Sequence, residues 1–103
     1  MPPVELVIAR HPGLVDFLRE KNVLADNVEV ISHVEDPSVL DDRHVAGVLP
    51  LNLAARCASV LIVALDMPPA LRGKELSAEE MKALNPRLEK YEVHKIWAAF
   101  GPA

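Results

Sequence analysis

The longest unbroken apolar run in the chain is Val60 to Leu65 (VLIVAL), rich in β-branched residues and bounded by polar stretches. It is too short for a helix and does not alternate, which predicts a central strand buried on both faces of a parallel sheet. Beyond it come Asp66 and Met67, then Pro68 and Pro69, which cannot continue a strand ladder. Upstream, Val4 to Ala9 (VELVIA) predicts a first strand and Arg10-His11-Pro12-Gly13 a turn. Proline suits a first helical position, so Pro12 opens a helix running to about Lys21, with Leu14, Val15 and Leu18 inward. Val28 to Val34 alternates, as a half-exposed strand near an edge does. Residues 35–43 form a polar connection with at most one helical turn, short for a parallel crossover. His44 to Leu49 is a third strand, and Leu51 to Ser59 a helix of small residues. Ser77-Ala78-Glu79-Glu80 is a capping-box pattern that starts a helix reaching about Leu84. Pro86 to Glu89 reads as a turn, Tyr91 to Trp97 as a last strand, and Trp97 with Phe100 as an apolar tail.

This order argues for one α/β domain over residues 1–103, Rossmann-like, with a mostly parallel five-stranded sheet flanked by helices. Ligands of such sheets sit outside the carboxyl ends of the strands. Those ends would gather Arg10 and His11, Asn52, and the polar loop holding Asp66, Arg72, Gly73, Lys74 and Glu75. Arginine and lysine bind phosphate oxygens, asparagine reads a base or ribose edge, and histidine titrates near neutrality. The helix N-terminus at Pro12 adds amides that favour an anion. The alternative is structural: Arg10 and Arg72 paired with Asp66 or Glu75 in an ion-pair network.

Composition narrows the ligand. A chain of 103 residues supports one core. Half its residues are apolar and its mean hydropathy is positive, which suggests apolar surface buried against a second copy. The net charge of -4 argues against a protein that coats long nucleic acid, and leaves room for a small anion in a local basic pocket. The single Cys57 permits neither an internal disulfide nor a cysteine metal cluster, and on an alanine-rich helix it reads as an inert packing thiol. No signal-like or membrane-length apolar stretch is seen, so the expected location is the cytoplasm, away from a membrane. There is no Walker loop, no G-x-G-x-x-G and no G-x-S-x-G elbow. Adjacent acids at Asp41-Asp42 and Glu79-Glu80 do not make a metal site; no metal or cofactor is expected. His33, His44 and His94 read as ordinary strand residues.

Three stretches together, Arg10 to Gly13, Leu49 to Ala55 and Leu65 to Met81, carry a resemblance to the small Csx-sixteen family of CRISPR-associated ancillary proteins. It covers the chain from the first strand to about Val93. Ala9 departs from the pattern where a hydroxyl residue would precede Arg-His, and Ala58-Ser59-Val60 is tighter than the corresponding turn. The resemblance implies a ring nuclease of type III CRISPR systems. Such a protein, as a homodimer, binds cyclic tetra-adenylate and cleaves it without metal, which ends the signal. Arg10, Arg72 and Lys74 would then contact phosphate, His11 would protonate the leaving oxygen or polarise the phosphate, Asn52 would touch ribose or base, and Asp66 and Glu75 would orient the cations, or either would serve as base. Two other readings stay open: a protein that sequesters or senses cyclic oligoadenylate without cutting it, and an interaction protein docking another CRISPR subunit.

Overall fold

The computed structural model describes residues 2–99. The elements in chain order are β1 (Val4–Ile8), α1 (Pro12–Glu20), β2 (Leu24–Ile31), β3 (His44–Ala46), α2 (Leu51–Ala54), β4 (Ser59–Ala64), α3 (Ala78–Lys82) and β5 (Arg87–Tyr91), with short 3₁₀ turns at Pro37–Leu40 and Pro69–Leu71. They form one five-stranded sheet in the order β2-β1-β3-β4-β5. β1 is parallel to β2 and β3, and β3 to β4; β5 runs antiparallel to β4. The predicted mixed α/β class and mostly parallel sheet therefore hold.

Alternation of side chains on the strands divides the core in two. On one face Val7, Ala46 and Leu61 pack with Phe17 and Leu18 of α1 and Met81 of α3. On the other, Leu6, Val45 and Val60 meet Leu40 and the α2 side, Ala54 and Cys57. Lys82 bridges the first face, 3.0 Å from Glu20 Oε2 and 2.8 Å from Glu79 Oε1. Cys57 is buried and its Sγ–H donates to the Leu53 carbonyl at 3.7 Å; burial pushes its thiol pKa up, as suits an inert packing residue.

The elements depart from the sequence expectation in several places, among them the ends of β2 at Ile31 and of β3 at Ala46, short of Val34 and Leu49. The middle strand is β3, and β4 lies between it and β5, well buried only over Ser59–Leu61. β2 begins at Leu24 rather than Val28, because Val4 pairs with Leu24 and a register irregularity absorbs the polar residues before Glu29. The helix expected over Leu51 to Ser59 stops at Ala54, since Ala58 N–H returns to the Arg43 carbonyl at 2.8 Å and Ser59 already belongs to β4. The last strand is Arg87–Tyr91, where a turn was expected, and not Tyr91 to Trp97. Tyr91 pairs with Val60 near the start of β4, so the ladder runs out there despite the alternating YEVHKIW pattern. Trp97 is exposed and outside the core, while Phe100 lies outside the described residues. Among the described residues no helix is long and apolar enough to cross a membrane.

Candidate functional site

The chain order reverses between β1 and β3: β2 is laid down on one side of β1, and β3 and β4 on the other. A crevice opens at such a point, outside the carboxyl ends of the two strands. Ala9 N–H donates to the Ile31 carbonyl at 2.9 Å, which holds the exit of β1 against β2. The next residues, Arg10 and His11, lie at the mouth of α1. His11 is the N-cap, with φ -127 and ψ 149, and its side chain does not cap the helix. Pro12 has no N–H, and the remaining amides of the first turn find no side-chain acceptor among the described residues. With nine residues behind them, these amides carry the positive end of the helix dipole.

The polar loop returns to this point because of Gly13. Gly13 is buried, and a Cβ on it would overlap the carbonyl oxygen of Leu76. Only glycine allows that backbone approach. Lys74 and Glu75, just before Leu76, are thereby held beside Arg10 and His11, and all four line a cavity of about 250 Å³. His11 Nδ1 is 3.1 Å from Glu75 Oε1, with both side chains more than half exposed (57% and 58%). An ion pair so open to water adds little stability; its effect is to orient the imidazole.

The first half of the loop faces elsewhere. Asp66 accepts from Asn85 Nδ2 at 3.0 Å and from Arg87 Nη1 at 3.1 Å, and these bonds hold its carboxyl below the usual aspartate value. It fastens the loop to β5 instead of orienting Arg10 or Arg72. Arg72 follows the 3₁₀ turn, is exposed, and has no ion pair among the described residues; it lines neither the small cavity nor the crevice. Gly73 is the left-handed residue of the turn, at φ 79. Asn52 lies on the exposed side of α2 and lines a separate cavity with Arg56, His94 and Lys95. Arg56 is itself bound through Nε to Asp41 Oδ1 at 2.7 Å. The structure thus brings together Arg10, His11, Lys74 and Glu75, and leaves Arg72, Gly73, Asp66 and Asn52 outside that group. The structural network of Arg10 and Arg72 with Asp66 or Glu75 is not formed, because those acids are committed to Arg87 and His11.

Beside this group lies the larger crevice at the chain reversal, about 500 Å³. Arg10, Ala9, Leu14 and Met81 line both spaces, so the two adjoin. The crevice wall is otherwise apolar, from Ile8 through Leu49, Leu53 and Val63, except where the end of β2 contributes Ser32 and His33. The sequence alone reads His33 as an ordinary strand residue. Its position follows from the parallel direction of β2, which puts the residues after Ile31 at the same sheet edge as Arg10. That direction was the signal needed to find it.

Residues 6–94 match the family described as "Putative CRISPR-associated protein (Cas_VVA1548)", which is most of the chain. The chain belongs to this CRISPR-associated family. No curated protein and no solved structure matches it. The family match begins within β1 and runs past β5, and it includes every residue that lines the two spaces described above.

Proposed function

We propose that this CRISPR-associated chain is a ring nuclease that binds cyclic tetra-adenylate and cleaves it, switching off antiviral signalling. The observation that carries the reading is the meeting of Arg10, His11 and Lys74 with an uncapped helix N-terminus at the carboxyl end of β1. Two cations and free amides suit a phosphodiester, and a histidine among them suits proton transfer.

The chemistry needs no metal. The ribose 2′-oxygen attacks the adjacent phosphorus and loses its proton to water, from which His11 is later reprotonated, and the bond from phosphorus to the 5′-oxygen breaks. The 5′-oxygen takes a proton from His11. The products are a 2′,3′-cyclic phosphate and a free 5′-hydroxyl. Holding nucleophile, phosphorus and leaving oxygen in line is catalysis by orientation. Arg10, Lys74 and the α1 amides stabilise the charge that develops on the phosphorane oxygens. Glu75 holds the imidazole in place for the transfer. A homodimer would present two such groups to the two-fold symmetric ring.

The test is incubation of the purified protein with cyclic tetra-adenylate and a chelator, with products separated by chromatography and identified by mass. Linear di- or tetra-adenylate ending in a cyclic phosphate is the expected result. Intact ring retained on the protein would make it a sequestering protein, and intact ring passing through unbound would sink both readings and favour an interaction protein.

A further inference from the structure

The crevice at the chain reversal is not used by the scission just described. Its volume of about 500 Å³ falls in the range of small-molecule sites, and its wall combines an apolar interior with few polar groups. Arg10 stands where it opens into the cavity of His11, Lys74 and Glu75. An occupant with a largely apolar body of small-molecule size and an anionic group at one end matches this layout.

At the β2 end, His33 Nε2 is 3.1 Å from Glu35 Oε1, and its Nδ1 is 3.1 Å from Ser32 Oγ. A carboxylate only accepts, so Nε2 carries a proton. In the neutral ring Nδ1 then accepts the Ser32 hydroxyl hydrogen, and the lone pairs of Ser32 Oγ are left for an outside N–H donor. We propose that this crevice is a nucleobase pocket that takes an adenine, with Ser32 Oγ accepting from its exocyclic amino group and Arg10 holding the attached phosphate. The identity of the base as adenine rests on the ring-nuclease reading; the apolar crevice wall and the Ser32 acceptor do not. The chain Ser32–His33–Glu35 is a specificity device, because a base with a carbonyl in place of the amino group meets an acceptor with an acceptor.

The experiment uses protein labelled at Leu, Val and Met methyls, titrated in turn with adenosine 5′-monophosphate, inosine 5′-monophosphate and ribose 5-phosphate. Adenosine monophosphate shifts Leu53 and Val63, which line the crevice and not the small cavity; ribose 5-phosphate shifts Leu65 and leaves those two unmoved, and the adenosine nucleotide binds about tenfold more tightly than the inosine one. Ser32→Ala, an exposed position, abolishes that preference. Shifts at Leu65 without Leu53 or Val63 when adenosine monophosphate is added, or equal affinity for the two nucleotides, would overturn the proposal. The two readings separate cleanly: adenosine monophosphate in the crevice of a protein that ignores cyclic tetra-adenylate leaves the pocket and removes the ring nuclease. Cleavage by a protein whose crevice methyls never respond does the reverse.

Discussion

The N-terminus of α3 is closed by its own side chains: Ser77 Oγ accepts from Glu80 N–H and Glu80 Oε1 from Ser77 N–H, both at 3.1 Å. The neighbouring α1 starts at His11 with no side-chain cap and no acid in its first turn. Gly13 lays the two starts together, through the Leu76 backbone that leads directly into Ser77. The capped start obeys every local rule of helix stability. The uncapped one leaves donors unmatched beside Arg10, His11 and Lys74. Where a chain satisfies a rule at one helix and relaxes it at the next, the relaxed end is the place to look for a ligand.

The sharpest way to break this contrast is to cap α1. His11 already has the extended backbone of an N-cap residue, so His11→Ser fits without rearrangement. The expected outcome is a helix stabilised by about 1 kcal/mol, read as a raised melting temperature. Cleavage of cyclic tetra-adenylate should fall by at least ~100-fold in single turnover, since the acid is gone. A variant that melts lower and still cuts the ring would remove His11 from both roles. Next in size is Gly13→Ala. The added methyl pushes on the Leu76 carbonyl, and overpacking of this kind costs about 1–3 kcal/mol. Because the clash lies between α1 and the loop, Lys74 and Glu75 should separate from Arg10, with weaker ring binding than the stability loss alone explains. Chemical denaturation and a binding titration on the same protein check it.

Local chemistry was legible and tertiary choices were not. Pro12 and the capping box at Ser77 announced two helix starts, since both depend on neighbours within a turn. Arg10, His11, Lys74 and Glu75 were reachable from strand ends and the polar loop. Which acid meets which cation was not readable: Asp66 is taken by Arg87, across the antiparallel pairing of β4 with β5. That Asn52 faces a separate cavity is not legible for a related reason, as the outward face of α2 depends on how four residues seat on the sheet. His33 was passed over because the connection after β2 holds only a 3₁₀ turn, too little to announce a parallel strand.

The smallest effect sits at the capped end and separates the two helices by pH. The bonds from Ser77, its backbone N–H first, hold the Glu80 carboxyl below its ordinary value of 4.5. A carboxyl whose pKa is depressed by folding contributes stability above its unfolded pKa and loses it as pH falls through the folded one. That contribution is therefore whole at neutrality and fades below about pH 4.5. Glu80→Gln keeps an acceptor for the Ser77 N–H but cannot titrate. The wild type should melt slightly above the variant at pH 7, and the gap should close as melting is followed down to about pH 3. Glu80 lies outside the cavity of Arg10 and His11, so ring cleavage at neutral pH should match the wild type. A constant gap at every pH would mean that the capping box holds α3 by shape and hydrogen bonding alone. A change in cleavage would mean that the closed helix start is coupled to the open one, and the separation of stability from function at this edge of the sheet would not stand.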